Sequence, residues 1–382
     1  MNVLVVAAVP FFRERGTPIA VRLLCETLCE AGHSVDLLTC HLGDAISVPR
    51  LRILRIPRIP LVRDVPVGLS WRKLACDVVL SIQLVHLVAR NRYDVVHAVE
   101  EMVFPALLTK MLRRITVIYD MDSSLADQVL DHSTYLRPLG PLLYRFERLA
   151  VRRADRIVAV CDELADRALG YAPTKPVTVL RDVPLEHLSE PGVVDSLREL
   201  CGFHGLMAMY VGNLARCQGI DLMLEGFARA RPREPLALVV VGGDNPDILH
   251  YRRMAQDLGI GDRVHFVGPR PIAHLRDYLV QAAILISPRV TGNNTPMKVY
   301  SYLAAGKPIL ATSISSHSQV LDASCALLVD ATPDHFARGI ELLADNEPLR
   351  RTLGAAALAR AASSHTLREF KNIVLGEYAR LT

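Results

Sequence analysis

The sequence predicts an α/β protein of two domains, each a parallel sheet covered on both faces, with the strand ends of both sheets facing a central cleft. Three observations lead there. Short apolar, β-branched runs alternate with helix-patterned segments along all 382 residues, and near-continuous apolar strands belong to sheets buried on both sides. A polar stretch between Val183 and Gly205, holding Pro184, Pro191 and Gly192, interrupts the series, which then restarts. The length itself suits two or three domains, each able to bury its own core.

In chain order, the expected strands of the first half are residues 2–7, 34–39, 52–56, 94–99, 115–119, 156–160 and 177–180. Those of the second half are 206–211, 236–241, 264–267, 284–287, 308–311 and 326–329. The expected layout is a first domain over 1–185, a linker over 186–204 and a second domain over 205–366. A final amphipathic helix within 367–382 packs back toward the first domain.

Composition narrows the class. Apolar residues make up 51% and charged ones 22%, the balance of a soluble globular protein. The eight cysteines contain no Cys-x-x-Cys pair, so they read as buried free thiols in a reducing compartment. Met1 runs directly into an apolar strand, without the basic start of a secretory leader. The longest membrane-span candidate, 74–89, is broken by Asp77, Gln83 and His86. A cytoplasmic protein is therefore expected.

The net charge of +4 is uneven. Residues 1–185 carry 24 Lys and Arg against 20 Asp and Glu, and the rest carry 20 against 20. The excess gathers in Arg50, Arg52, Arg55, Arg58 and Arg63, in Arg72 and Lys73, and in Arg145 through Arg156. Such a surface suits an anionic acceptor or peripheral contact with an anionic membrane surface at the inner face. No nucleic-acid module accompanies it, so nucleic acid is not an expected partner.

Two helix starts carry the chemistry. The first strand leads to Gly16-Thr17-Pro18, where Thr17 is the expected cap, Pro18 the first helical residue and Gly32 the terminating glycine. The strand at 284–287 leads to Arg289, Asn293, Asn294, Thr295, Pro296 and Lys298. There Thr295 is the expected cap, Pro296 the start and Gly306 the end. A helix amino terminus offers free N–H groups to an anion. Lys298 in a first turn opposes the helix dipole unless an anion compensates it. Arg289, Lys298 and these N–H groups are thus expected to hold a diphosphate. Two further loops follow strands: Gly212-Asn213 through Arg216, Gln218 and Gly219, and Gly242-Gly243-Asp244. The thirteen histidines form no His-x-x-x-His pair, and no metal site is expected. Neither a Walker A loop nor a Gly-x-Ser-x-Gly elbow is present. The missing Gly-x-Gly-x-x-Gly after the first strand disfavours a nicotinamide dehydrogenase.

Together these segments resemble the family 4 (group 1) retaining glycosyltransferases, which have two Rossmann-like domains in the GT-B fold. The resemblance covers nearly the whole chain. It is strongest at Gly16 through Ala31-Gly32-His33-Ser34-Val35, and at Tyr210 through Leu214 with Gln218-Gly219-Ile220-Asp221. The third stretch is Ser287-Pro288-Arg289 through Lys298 and on through Tyr302 to Pro308. The resemblance implies a nucleotide-sugar donor as substrate, no metal or cofactor, and a saccharide or lipid-linked acceptor on the first domain. Asn293 and Ser301 stand where the family places two glutamates, Asn213 and Gln218 where it has Arg and Lys, and Val99 where it has a histidine.

The mechanism expected on that basis has Arg289, Lys298, Arg216 and the helix start after Thr295 taking the leaving charge. Gly212, Asn213, Gln218, Gly243, Asn293, Asn294 and Ser301 complete donor binding, with Gly16 and Thr17 closing from the first domain. His97, Glu101 and Asp122 are the candidate catalytic groups on the acceptor side. Two alternatives stay open: a non-catalytic nucleotide-sugar-binding protein, and a nucleotide-sugar epimerase or hydrolase.

Overall fold

Every apolar run named above forms a strand in the computed structural model, which describes residues 1–12, 16–44, 46–60, 62, 70–132, 134–188 and 194–381. The chain divides into two units, Met1–Arg181 with Phe370–Thr382, and Asp182–Glu369.

The first unit holds β1 (Asn2–Ala7), β2 (Ser34–Thr39), β3 (Leu51–Arg55), β4 (Val95–Val99), β5 (Thr116–Met121), β6 (Arg156–Ala159) and β7 (Val177–Val179). They pair in parallel in the order β3-β2-β1-β4-β5-β6-β7. Its helices are α1 (Gly16–Glu30), α2 (Trp71–Arg90), α3 (Val103–Thr109), α4 (Leu125–His132), α5 (Gly140–Arg153) and α6 (Asp162–Tyr171).

The second unit holds α7 (Leu197–Cys201), β8 (Leu206–Val211), α8 (Ile220–Arg229), β9 (Leu236–Val241), α9 (Asn245–Asp257), β10 (Val264–Gly268), α10 (Leu275–Leu279), β11 (Ile284–Ser287), α11 (Met297–Ala304), β12 (Ile309–Thr312), α12 (Ser315–Ser318), β13 (Leu327–Val329), α13 (Pro333–Asp345) and α14 (Glu347–Ser364). Its parallel sheet runs β10-β9-β8-β11-β12-β13. The last helix, α15 (Leu367–Ala379), joins the first unit from Phe370 onward.

Alternation along the strands splits each core into two layers. In the first unit Leu4, Val6, Val96, Ala98, Val117 and Tyr119 pack against α2, α3, α5 and α6. Neighbouring residues point to the other face, where Leu24 of α1 and Val374 and Tyr378 of α15 lie beside His97 and Val158. A strand reverses side-chain direction at every residue, so this two-layer division follows from the pattern itself.

The polar stretch expected as a linker contains α7 and is grouped with the second unit. Ser196 caps it by accepting from the Glu199 N–H, Gly202 (φ +67) ends it, and Leu197 is buried in the second core. Polar caps around one apolar residue hide so short a helix from periodicity. Arg63, Pro191 and Gly192 lie outside the described residues. Six of the eight cysteines are buried; Cys201 and Cys217 are half-buried.

Candidate functional site

In both sheets the chain reverses direction beside its first strand, between β8 and β11 in the second unit and between β1 and β4 in the first. Ligands of parallel sheets bind outside the carboxyl ends of strands at such reversals. In the second unit the loops after β8 and β11 meet there. The Val290 N–H donates to the Cys217 carbonyl at 3.0 Å. Gly219 (φ +71) lies so close that a Cβ would sit 2.0 Å from the Pro288 carbonyl oxygen.

Two cations occupy this junction. Arg289 folds into its own loop, Nε donating to the Thr291 carbonyl at 2.6 Å and Nη2 to Asn294 Oδ1 at 3.0 Å. Gly292 (φ +116) wraps the guanidinium, where any Cβ would collide with Nη2. The half-buried Lys298 donates from Nζ to Gln218 Oε1 at 2.8 Å and lies 3.9 Å from the centre of the Tyr210 ring. Burial, then the Arg289 charge, push its ammonium well below the ordinary lysine range. Burial also lowers Arg289. Among the described residues neither cation has a carboxylate partner. Buried charges are normally paired; these two half-buried cations instead meet neutral amides, a backbone carbonyl and an aromatic face.

The helix start differs from expectation. Thr295 does not cap α11: Pro296 occupies the cap position (φ −62, ψ 130), and the helix begins at Met297. A residue before proline is pushed to extended backbone, and the chain stays extended through the proline itself. Thr295 is buried instead, and its Oγ1 has no hydrogen-bond partner among the described residues. Gly306 (φ +64) follows the helix end as expected. Lys298 thus stands at the second helical position of α11, beside a buried polar atom in need of a partner.

The other expected donor residues scatter over the same strand ends. Asn213 is exposed, its carbonyl accepting from the Tyr210 hydroxyl at 2.5 Å. Arg216 is also exposed. A Cβ on Gly212 would lie 3.0 Å from Lys298 Nζ, so that residue faces the cation pair. Gly243 precedes Asp244, which caps α9. The Asn293 carbonyl accepts from Gln319 Nε2 at 2.8 Å. Ser301 is buried, and its hydroxyl accepts from the Leu185 N–H at 3.2 Å.

One group here was not anticipated. His317 is fully buried between the ends of β11 and β12. Its Nδ1–H donates to the Thr312 carbonyl at 2.9 Å, which leaves Nε2 to accept from the Ser287 hydroxyl at 2.8 Å. Thr312 Oγ1 in turn donates to the Arg289 carbonyl. Burial, helped by the Arg289 and Lys298 charges, lowers His317 to about 4. It therefore braces the Arg289 loop as a neutral ring. No spacing in the sequence singles it out, because its partners lie on two different strands.

In the first unit, α1 begins at Gly16, so Thr17 is its second residue and not its cap. Helix boundaries set by pattern alone shift by a residue or two. Gly32 (φ +88) lies just past its end. His97 was expected at a strand end but sits in mid-β4, pointing to the α15 face. Its Nδ1 meets the Tyr378 hydroxyl at 2.9 Å and its Nε2 meets Asp120 at 3.0 Å. Register decided this, since a strand alternates faces at each residue.

The carboxyl end of β4 instead carries Glu100 and Glu101. Glu101 pairs with Lys73 of α2. Glu100 has φ +51, an uncommon conformation for a non-glycine residue. Its carboxylate accepts from Ser123 Oγ at 2.8 Å and Gln128 Nε2 at 2.9 Å. Asp77 of α2 lies 3.8 Å from Lys73, and its buried Oδ1 lacks a partner among the described residues. Burial raises Asp77 to about 6, against the lowering effect of Lys73. Asp77 had been visible in the sequence as a charge interrupting an apolar helix. Asp122 follows β5 directly and is half-buried.

Two family descriptions match this chain: a glycosyl transferase 4-like domain over residues 15–181, and glycosyl transferases group 1 over residues 206–346. It is 28% identical to D-inositol 3-phosphate glycosyltransferase of Corynebacterium diphtheriae over 57% of this chain and 54% of that one. The match thus spans about half the length of that relative. To the Kribbella flavida protein of the same name it is 25% identical over 91% of this chain and 86% of that one. Among solved structures, sucrose-phosphate synthase from Thermosynechococcus elongatus superposes with a TM-score of 0.82 at 20% identity, covering 100% and 98% of the two chains. Anabaena HepE in complex with UDP-glucose gives 0.75 at 13% identity, covering all of both. These structural likenesses show the GT-B fold, and the fold alone.

Proposed function

The chain belongs to the glycosyltransferases, a 4-like domain leading and a group 1 domain following, and we propose that it moves a sugar from a nucleotide-sugar donor to a hydroxyl of a saccharide or lipid-linked acceptor. Transfer proceeds with retention, and the nucleotide-sugar is a substrate with no metal or cofactor required. The observation that carries this reading is the Arg289–Lys298 pair, two cations without a carboxylate partner among the described residues, beside the amino end of α11. A diphosphate supplies the missing negative charge, and cations and helix N–H groups stabilise it as it leaves. Anabaena HepE has been solved with UDP-glucose, which supports a donor of this class.

In this reading Gln218 and Tyr210 orient Lys298, and Arg216 adds charge at the loop edge. Gly212, Asn213 and Gly243 line the approach of the nucleotide. Asn293, Asn294 and Thr295 face the sugar, Thr295 Oγ1 having no other partner among the described residues. Gly16 and Thr17 offer N–H groups at the start of α1. Glu101 and Asp122, at the carboxyl ends of β4 and β5, are the acceptor-side groups. His97, with both ring nitrogens engaged, acts as support for α15. The leaving phosphate takes the acceptor proton, so no strong base is needed. The basic first half suits a cytoplasmic enzyme working at an anionic inner membrane face.

One observation favours a second reading. The Ser301 hydroxyl is turned to the Leu185 backbone, and a serine cannot grip a ribose diol as a carboxylate does. A protein that binds nucleotide without turnover would tolerate that. Screening nucleotide-sugar donors for released nucleoside diphosphate, with and without saccharide acceptors, separates the readings. Acceptor-dependent release is expected. Nucleotide binding by thermal shift with no release would establish the second reading. Sugar change or release with donor alone would establish an epimerase or hydrolase.

A further inference from the structure

We propose that the outward faces of α2, α3 and α5 form one membrane-docking surface that inserts shallowly into an anionic bilayer. This deepens the peripheral contact proposed above and rests on it. The evidence begins with α2, which lays Cys76, Leu80, Leu84 and Val88 into the core. The opposite side of such a helix is normally polar. Here it carries Trp71, Leu74, Val78 and Ile82, each more than half exposed. Their spacing of three or four residues makes a continuous stripe.

The same inversion recurs on α5. Glu147, Ala150 and Val151 are buried, while Leu142, Phe146 and Leu149 face outward, 45–49% exposed. Between the two lies α3, which touches both. Leu108 at its end and Met111 and Leu112 just after it are 52–85% exposed. Single exposed apolar residues are ordinary, but contiguous ones across three neighbouring helices mark an interaction site.

Charge selects the occupant. The only acids of α2 and α5 are Asp77, half-buried beside Lys73, and Glu147, buried against Ser124 and Tyr171. The exposed charges of those helices are Arg72, Arg90, Arg145, Arg148, Arg152 and Arg153. An apolar stripe on helices whose exposed charges are all arginine, beside a Lys110–Asp155 pair at the ends of α3 and α5, is the pattern of an interfacial surface on anionic lipid. A second copy of the chain would bring arginine against arginine, which disfavours self-association. No helix among the described residues is long and apolar enough to cross a membrane, so the mode is insertion to headgroup depth.

Trp71 is the only tryptophan of the chain, and its emission reports the surface directly. The full-length protein is mixed with vesicles of phosphatidylcholine alone or with added phosphatidylglycerol. The expected result is co-sedimentation with the anionic vesicles only, weakened by salt, with a blue shift of Trp71 emission and quenching by brominated acyl chains. The double variant Phe146→Ser, Leu149→Ser should lower vesicle affinity at least about tenfold, as should Arg145→Gln with Arg148→Gln. All four residues are exposed, and an unchanged thermal midpoint confirms folding. Binding to anionic vesicles with unmoved Trp71 emission and unaffected variants would overturn this surface while leaving peripheral contact in place. Absence of vesicle binding under all conditions would overturn both. A dimer in solution that the same variants dissociate, without vesicle binding, would assign the face to a second copy instead.

Discussion

A lysine at the start of a helix meets the positive end of the helix dipole, and Lys298 bears that cost together with repulsion from Arg289 and partial burial. Its compensation within the protein is a neutral amide and an aromatic face. In the proposed function the donor diphosphate supplies the counter-charge that the protein itself does not provide here. Lys298→Ala should therefore raise donor KM and lower kcat by about a hundredfold, the usual scale for losing one charge-stabilising donor. Steady-state kinetics at varied donor concentration reads this, and unchanged constants would remove Lys298 from the site. The sequence exposed this residue because its charge contradicts its position. It could not expose His317, whose role depends on neighbours from β11 and β12.

At the scale of single elements, α2 shows how one polar position can be out of keeping with its helix. Asp77 is pushed up to about 6 from 3.8 by burial. Between those values the folded chain holds the proton that the unfolded chain has released, so this group lowers stability as pH rises through that window. Asp77→Asn should flatten that dependence and add about 1–3 kcal/mol at pH 7, while Lys73 keeps Glu101 as its partner. Denaturant unfolding at pH 4.5 and pH 7 tests it; an equal or steeper pH slope in the variant would refute the assignment. A half-buried carboxyl retained at such a cost, near Glu100 with its φ of +51 at the end of β4, fits strain stored where ligands bind.

Across the whole molecule, the last helix closes the first unit. Glu377 of α15 is buried and receives both Arg156 from β6 and Thr178 from β7. Burial opposes its ionisation, but the bonds from Arg156 and Thr178 prevail and hold its carboxyl below the usual range. Glu377→Ala leaves the Arg156 guanidinium unpaired against the sheet edge and should cost about 3 kcal/mol in thermal or denaturant unfolding; a loss below about 0.5 kcal/mol would mean the pair is dispensable. This helix was legible as amphipathic, and its return toward the first domain was expected, because its apolar face needs cover. The strands were legible to within two residues, since burial on both faces writes itself as continuous apolar runs at Leu4 or Val239 alike. Arg289 and Lys298 stood out in the sequence as locally anomalous cations, and the structure brings them to one junction without a carboxylate partner among the described residues. Tertiary structure decided everything that depends on register and distant neighbours. It turned His97 toward Tyr378, buried Thr295 rather than letting it cap, bent the Ser301 hydroxyl to the Leu185 backbone, and set the apolar faces of α2, α3 and α5 side by side. Sequence specifies what each residue prefers, whereas these outcomes depend on which partner the packed chain brings within bonding distance.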